Sequence, residues 1–200
     1  PLHWALHYAK LRRDCDVLGI TCPDDAVLAG DIARLAEHET EGVIKIIITR
    51  GTGQRGYAPP ATPSPTRIVI AAPMPQYSAH VARSGASVRF CSLRLGFQPA
   101  LAGVKHLNRL ENVLARAEWD DPEIVEGLML DIEGNVIGGT MSNLFIVERN
   151  VLITPDLARC GVAGVTRERL LRAAAMTGGM PWSVEPISPE RLLRSDAVLL

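Results

Sequence analysis

A chain of 200 residues, 47% of them hydrophobic and 22% charged, suits one large domain or two small ones around a real core. Its net charge of −1, with the basic residues scattered, gives no overall field to attract nucleic acid or an anionic membrane. No apolar run approaches membrane-spanning length, and the N-terminus does not read as a signal peptide.

Residues 1 to about 18 predict a helix with a weak stripe of Leu6, Ala9, Arg13 and Val17. No first strand precedes it, and residues 196–200 stop inside what reads as a strand, so both ends read as cut. Pro23-Asp24-Asp25 signals a second helix, with Leu28, Ile32, Leu35 and Ala36 at helical spacing and an end near 39–42. Residues 43–49 are β-branched and almost continuous, which predicts a buried strand. The glycines of Arg50-Gly51-Thr52-Gly53-Gln54-Arg55-Gly56-Tyr57 end that strand in a loop, whose two arginines could grip a carboxylate. This is not a P-loop, because the lysine and hydroxyl that complete that motif are absent. Four prolines mark 58–66 as a surface loop; 67–72 and 87–93 are the next strands. Residues 96–103 read as the connection to a second domain. The expected division is thus 1–98, a small α/β domain, and 103–200, a β-rich domain.

Gly103-Val104-Lys105 opens the second half. After the lysine, Leu107, Leu110, Val113, Leu114 and Ala117 share one helical arc, with Asn108, Arg109, Asn112 and Arg116 on the other side. A lysine at the mouth of a helix, beside Gly103 and Val104, is expected to be partly desolvated, which favours a nucleophilic amine. Strands follow at 126–132, 144–147 and 151–155, with a tight turn at Glu133-Gly134-Asn135. Further strand candidates are 182–187 and 196–200. Gly164-Val165-Thr166-Arg167 opens an amphipathic helix. Its free N–H groups and dipole suit an anion, although Thr166 alone reads equally well as an N-cap. The four cysteines (Cys15, Cys22, Cys91, Cys160) are far apart, and neither they nor the five histidines have metal-ligand spacing. They predict reduced thiols in a cytoplasmic protein and no metal site.

Three segments in one order carry a resemblance. Lys105-His106-Leu107-Asn108-Arg109-Leu110-Glu111, then Gly139-Thr140-Met141-Ser142-Asn143-Leu144-Phe145, then Gly164-Val165-Thr166-Arg167 resemble the fold-type IV pyridoxal-phosphate enzymes. Asn108 to Glu111 and the arginine loop at 50–57 are most similar to the aminodeoxychorismate lyases of that group. The likeness runs from about His7 to Leu200. It implies a two-domain α/β (α+β) fold: a small α/β domain, then a larger barrel-like β domain with helices. It implies pyridoxal 5'-phosphate at the domain interface, a small-molecule substrate, and a homodimer.

Residue by residue, the resemblance implies that Lys105 forms the Schiff base and later moves the proton. Val165 and Thr166 would bind the cofactor phosphate, Thr140 and Met141 would line its other side, and Asn143 would support that loop. Arg50, Arg55 and Tyr57 would face the substrate, Arg55 as a carboxylate partner. Two positions depart from the pattern. Gly138 stands where the family has a glutamate against the pyridine nitrogen, with Glu126 or Glu133 as substitutes within the chain. Lys10, in His7-Tyr8-Ala9-Lys10-Leu11, stands where the family has an arginine for the phosphate; it keeps the charge and loses the planar fork. The implied function is a lyase that makes 4-aminobenzoate and pyruvate from 4-amino-4-deoxychorismate for folate. The alternatives are a branched-chain or D-amino-acid aminotransferase, or an inactive relative kept as a binding or dimerisation module, which Gly138 and Lys10 would favour.

Overall fold

The computed structural model describes residues 1–36, 41–76, 79–176 and 179–200. The chain forms two compact units, Pro1–Tyr77 and Ser78–Leu200. In the first, α1 (Trp4–Leu18) stops at Gly19, whose left-handed φ of 60° lets its N–H bond Asp16 O. Residues 15 and 10 are buried on α1, whereas Ala9, Arg13 and Val17 of the expected stripe are exposed. Helix α2 (Asp25–Leu35) buries Leu28, Asp31 and Ile32. The Asp31 carboxylate is gripped by Arg67 and Arg34, so α2 is pinned to the neighbouring strand. The expected helix end near 39–42 lies partly outside the described residues.

Strand β1 (Val43–Thr49) pairs antiparallel with β2 (Thr66–Ala72) in unbroken register. With one partner strand, β1 is half-buried at most, not the fully buried strand its composition predicts.

The second unit begins with α3 (Ala79–Ser84), a short helix the sequence did not announce. Strand β3 (Ser87–Leu95) then runs parallel to β4 (Ile124–Asp131), which pairs antiparallel with β5 (Val136–Gly139). Because β3 is hydrogen-bonded to β4, it groups with the second unit, and the division falls before it and not at 98–103. Between β3 and β4 lies α4 (Leu110–Arg116). The second sheet has the order β8-β7-β6-β9, from β6 (Phe145–Glu148), β7 (Val151–Thr154), β8 (Trp182–Val184) and β9 (Ala197–Leu199). Helices α5 (Val165–Met176) and α6 (Pro189–Arg194) complete the unit, α6 capped by the Ser188 hydroxyl. The two sheets meet where a Gly138–Asn143 bridge joins the end of β5 to the approach of β6.

β4 is the centre of this unit. Alternate residues of a strand face opposite sides. Met129 enters one cluster, with Trp119, Ile137 and Cys160; Leu128 and Leu130 enter another, with Leu144 and Ile187. Burial in the first cluster pushes the Cys160 thiol up to about 11.

Helix α4 inverts its expected orientation. Leu107, Leu110, Val113 and Leu114 are 64, 62, 61 and 52% exposed, while Ala115 is fully buried and Asn112 points inward. Of the polar arc of the sequence reading, Arg109 and Asn112 are half-buried while Asn108 and Arg116 are exposed, and the helix begins at Leu110, not directly after Lys105.

At Gly127 an added Cβ would lie 2.6 Å from both Cys91 Sγ and the Trp119 ring. Gly127→Ala is expected to lower stability by about 1–3 kcal/mol through overpacking. Urea unfolding checks this, and an unchanged midpoint would mean that the Trp119 ring yields freely.

Candidate functional site

Lys105 follows a backbone splice. Gly103, at φ 77°, donates its N–H to Gly161 O (3.0 Å) and accepts from Ala163 N (3.0 Å). This parallel bridge fixes the lysine segment to the loop that leads into α5. Val104 is buried, its N–H bonds Leu101 O (3.1 Å), and its carbonyl accepts from the Arg109 guanidinium. Lys105 itself is exposed, so the expected partial desolvation is not supplied by the residues around it.

The loop 139–143 hangs on a buried acid. Glu126, 4% exposed on β4, accepts from Gly127 N (2.9 Å), Thr140 N (3.0 Å) and Thr140 Oγ1 (2.6 Å) through Oε1. Through Oε2 it accepts from Met141 N (3.2 Å) and Ser142 Oγ (2.9 Å). An ideal Cβ at Gly139 would sit 2.5 Å from Glu126 Oε2, so the carboxylate fills the space that this glycine leaves. Thr140 N also reaches Gly127 O (3.0 Å), and Thr140 O accepts from Asn112 Nδ2 (2.7 Å).

Asn143 ties this loop to the start of α5. Its Nδ2 donates to Val162 O (2.7 Å) and its Oδ1 accepts from Gly164 N (3.1 Å). A Cβ at 164 would lie 2.2 Å from that Oδ1, so only glycine admits the clamp. Val165 is buried at the first turn and Thr166 is exposed. Arg167 reaches back to Thr154 Oγ1 and Pro155 O (both 3.1 Å), and burial lowers its pKa from the usual arginine value. It fixes the base of the helix, which leaves the first-turn N–H groups to face outward from the helix start.

Lys105, Thr140, Met141, Asn143, Val165 and Thr166 therefore lie on three segments joined by named hydrogen bonds within one unit. Gly138 lies there too, but an added Cβ would meet Ser142 O at 2.9 Å. Neither proposed substitute faces its position. Glu133 is on the surface turn, paired with Arg159 at 2.7 and 2.9 Å, and the arginine lowers its carboxyl pKa. Glu126 lies under Gly139, and neighbouring strand residues project to opposite faces.

The remaining predicted residues belong to the first unit. Lys10 is buried, with Nζ 2.5 and 2.7 Å from the two Asp14 oxygens, so its charge is already matched by an acid one turn on. Arg50 donates to Gly19 O (2.7 Å) and to Leu18 O, capping the C-terminus of α1 and not presenting an open fork. Arg55 is exposed and Tyr57 fully so. Sequence reasoning missed Asn112 and underrated Glu126; an acid in the otherwise apolar run of β4 was the available signal.

Residues 1–200 match the family model for amino-transferase class IV. An aminodeoxychorismate lyase of Vibrio harveyi is 38% identical over 170 residues, which are 84% of this chain and 62% of that protein. The chain thus spans less than two thirds of this relative. The branched-chain-amino-acid aminotransferase of Escherichia coli K12 is 27% identical over 164 residues, 80% of this chain and 53% of that one. The crystal structure of 4-amino-4-deoxychorismate lyase from Pseudomonas aeruginosa superposes with a TM-score of 0.91 at 45% identity, covering 97% of this chain and 71% of that one.

Glu126→Gln is expected to cost about 2–4 kcal/mol, because an amide nitrogen then opposes donors that now meet a charged acceptor. Hydrogen exchange at Met141 should accelerate with it. Unchanged stability and protection would remove Glu126 as the support of the loop.

Proposed function

The chain belongs to the amino-transferase class IV family of fold-type IV enzymes, and we propose that it acts as a lyase on 4-amino-4-deoxychorismate, releasing 4-aminobenzoate and pyruvate. The observation that carries this reading is the Gly103 splice to Gly161 and Ala163. It sets an amine segment beside a helix N-terminus in a chain 45% identical to the Pseudomonas aeruginosa 4-amino-4-deoxychorismate lyase.

Pyridoxal 5'-phosphate is the cofactor this reading requires, and the residues of the second unit fit it. The exposed Lys105 offers the primary amine. The first turn of α5, with Val165 and Thr166, offers N–H groups and the positive dipole end to a phosphate. Thr140 and the exposed Met141 are assigned to the other side of the cofactor ring, and Asn143 holds their loop against the start of α5. Asn112, on the helix that follows Lys105, holds the same loop through Thr140 O. Bound there, the cofactor would supply an electron-withdrawing ring that stabilises negative charge on the carbon next to the substrate amine. The Lys105 amine takes the proton from that carbon. The bond from the neighbouring carbon to the enolpyruvyl oxygen breaks, the departing enolpyruvate takes up that proton to become pyruvate, and the remaining ring becomes aromatic.

Arg55 and Tyr57 are assigned to the substrate's carboxylates because they are exposed on a glycine-rich loop. Arg50 is assigned to shaping that loop, and Lys10 is left with Asp14 and not with the phosphate. A second copy of the chain is assigned to the exposed Leu107, Leu110, Val113 and Leu114, a contiguous apolar face that one copy leaves in water. The cytoplasm is the proposed location; the four cysteines are unbridged, and no described helix is long and apolar enough to cross a membrane.

The deciding assay supplies 4-amino-4-deoxychorismate in one arm and a branched-chain or D-amino acid with 2-oxoglutarate in the other. The expected result is 4-aminobenzoate and pyruvate in the first arm, with a loss of roughly 10³-fold in kcat for Lys105→Ala. Glutamate formation without 4-aminobenzoate would assign the chain to the aminotransferases. No turnover in either arm would favour a binding or dimerisation module.

A further inference from the structure

Arg167 carries a charge that its own contacts do not use. Its Nε donates to Thr154 Oγ1 and its Nη2 to Pro155 O, both at 3.1 Å. Both acceptors are neutral, and the Thr154 hydroxyl donates in turn to Leu144 O (2.8 Å). Two neutral acceptors need donors, not a cation. Among the described residues no acid forms an ion pair with this guanidinium. Asp156 acts on it only through space, and its Oδ1 accepts from Ala158 N (2.9 Å). Burial lowers the arginine's pKa, against the smaller opposite effect of Asp156.

The position makes this charge costly. Arg167 stands in the first turn of α5, where the helix dipole is already positive and acids are the favoured residues. It is half-buried, so water and salt screen it only in part. Glu168, the acid of that turn, is engaged by Arg172 one turn on. A half-buried cation whose hydrogen-bond partners are all neutral therefore adds its potential to that of the helix start.

We propose that Arg167 is a positioning residue for the cofactor phosphate, and that its charge, acting through the first turn of α5, raises the affinity of that turn for a phosphate dianion. This rests on the reading that places the phosphate at Val165 and Thr166. The guanidinium stays with Thr154 and Pro155 at the base of the helix, and the N–H groups of the turn make the contact. Without a ligand, two positive poles stand together; a bound dianion offsets both. The charge thus favours the loaded state at the expense of the empty one.

The test separates the charge from the hydrogen bonds. Arg167→Gln keeps an amide donor and loses the charge; Arg167→Lys keeps the charge and loses the planar fork. The probe is pyridoxine 5'-phosphate, which has the phosphate but no aldehyde, so Lys105 chemistry does not enter. The readouts are its Kd by calorimetry and the Tm of each ligand-free protein. Arg167→Gln is expected to bind roughly tenfold more weakly than the parent, and Arg167→Lys within about threefold of it, whichever melts lower. Arg169→Gln, which removes an exposed cation from the same helix, should change Kd by less than about twofold. Affinities that follow Tm, that do not change in Arg167→Gln, or that fall equally in Arg169→Gln would overturn the proposal while the phosphate reading stands. If Arg167→Gln does not fold, Arg167→Lys against the parent decides alone: affinity kept at a lower Tm supports the charge, and affinity lost with it refutes it. A parent chain that neither binds the probe nor takes up pyridoxal 5'-phosphate would overturn the cofactor reading and this proposal with it.

Discussion

The buried carboxylate of Glu126 is the interaction on which the site is built. An isolated acid in the interior of a β unit is costly, because nothing there replaces its water. Here both oxygens are satisfied by N–H and O–H donors from Gly127, Thr140, Met141 and Ser142. The arrangement works in both directions. The donors make the charge tolerable, and the charge fixes a loop of small residues that has few side chains of its own to pack. The glycine at 139 belongs to the same arrangement, since any side chain there would occupy the carboxylate's space.

From that anchor the hydrogen bonds run outward in a connected path. Thr140 O is held by Asn112, on the helix that follows Lys105. Asn143 spans the gap to Val162 O and Gly164 N, at the threshold of α5. Gly161 and Ala163 hold Gly103, two residues before the lysine. Each link uses a backbone group or a short amide, so the geometry is set with little side-chain freedom to lose. Such a frame holds an amine segment and a helix N-terminus together, as the proposed cofactor, with its aldehyde and its phosphate, requires.

Much of this was legible in the sequence, for local reasons. β-branched runs gave the strands, and the tight turn expected at Glu133-Gly134-Asn135 joins β4 to β5 with Gly134 at positive φ. The motif order gave the three segments of the site. What failed had a common cause: the sequence gives residue types and their periodicity but not what stands opposite them. The leucines of α4 were read as a core face, yet the chain presents them to water and turns Asn112 inward. Arg50 was read as an anion grip, and it is used on carbonyls at the end of α1. Lys10 is the exception, because Asp14 stands four residues on and the pairing could have been read from spacing alone. The buried acid of β4 was visible as a letter, but four of its five hydrogen bonds depend on a hairpin that brings residues 140–142 back over it.

The most direct test of a Schiff-base site at Lys105 is chemical trapping. The chain is incubated with pyridoxal 5'-phosphate, reduced with borohydride, digested, and its modified peptide identified by mass spectrometry. The account predicts one stable adduct, on the peptide carrying Lys105, and none in Lys105→Ala. An adduct on Lys10 or Lys45 in its place, or a parent chain that traps no cofactor, would contradict it.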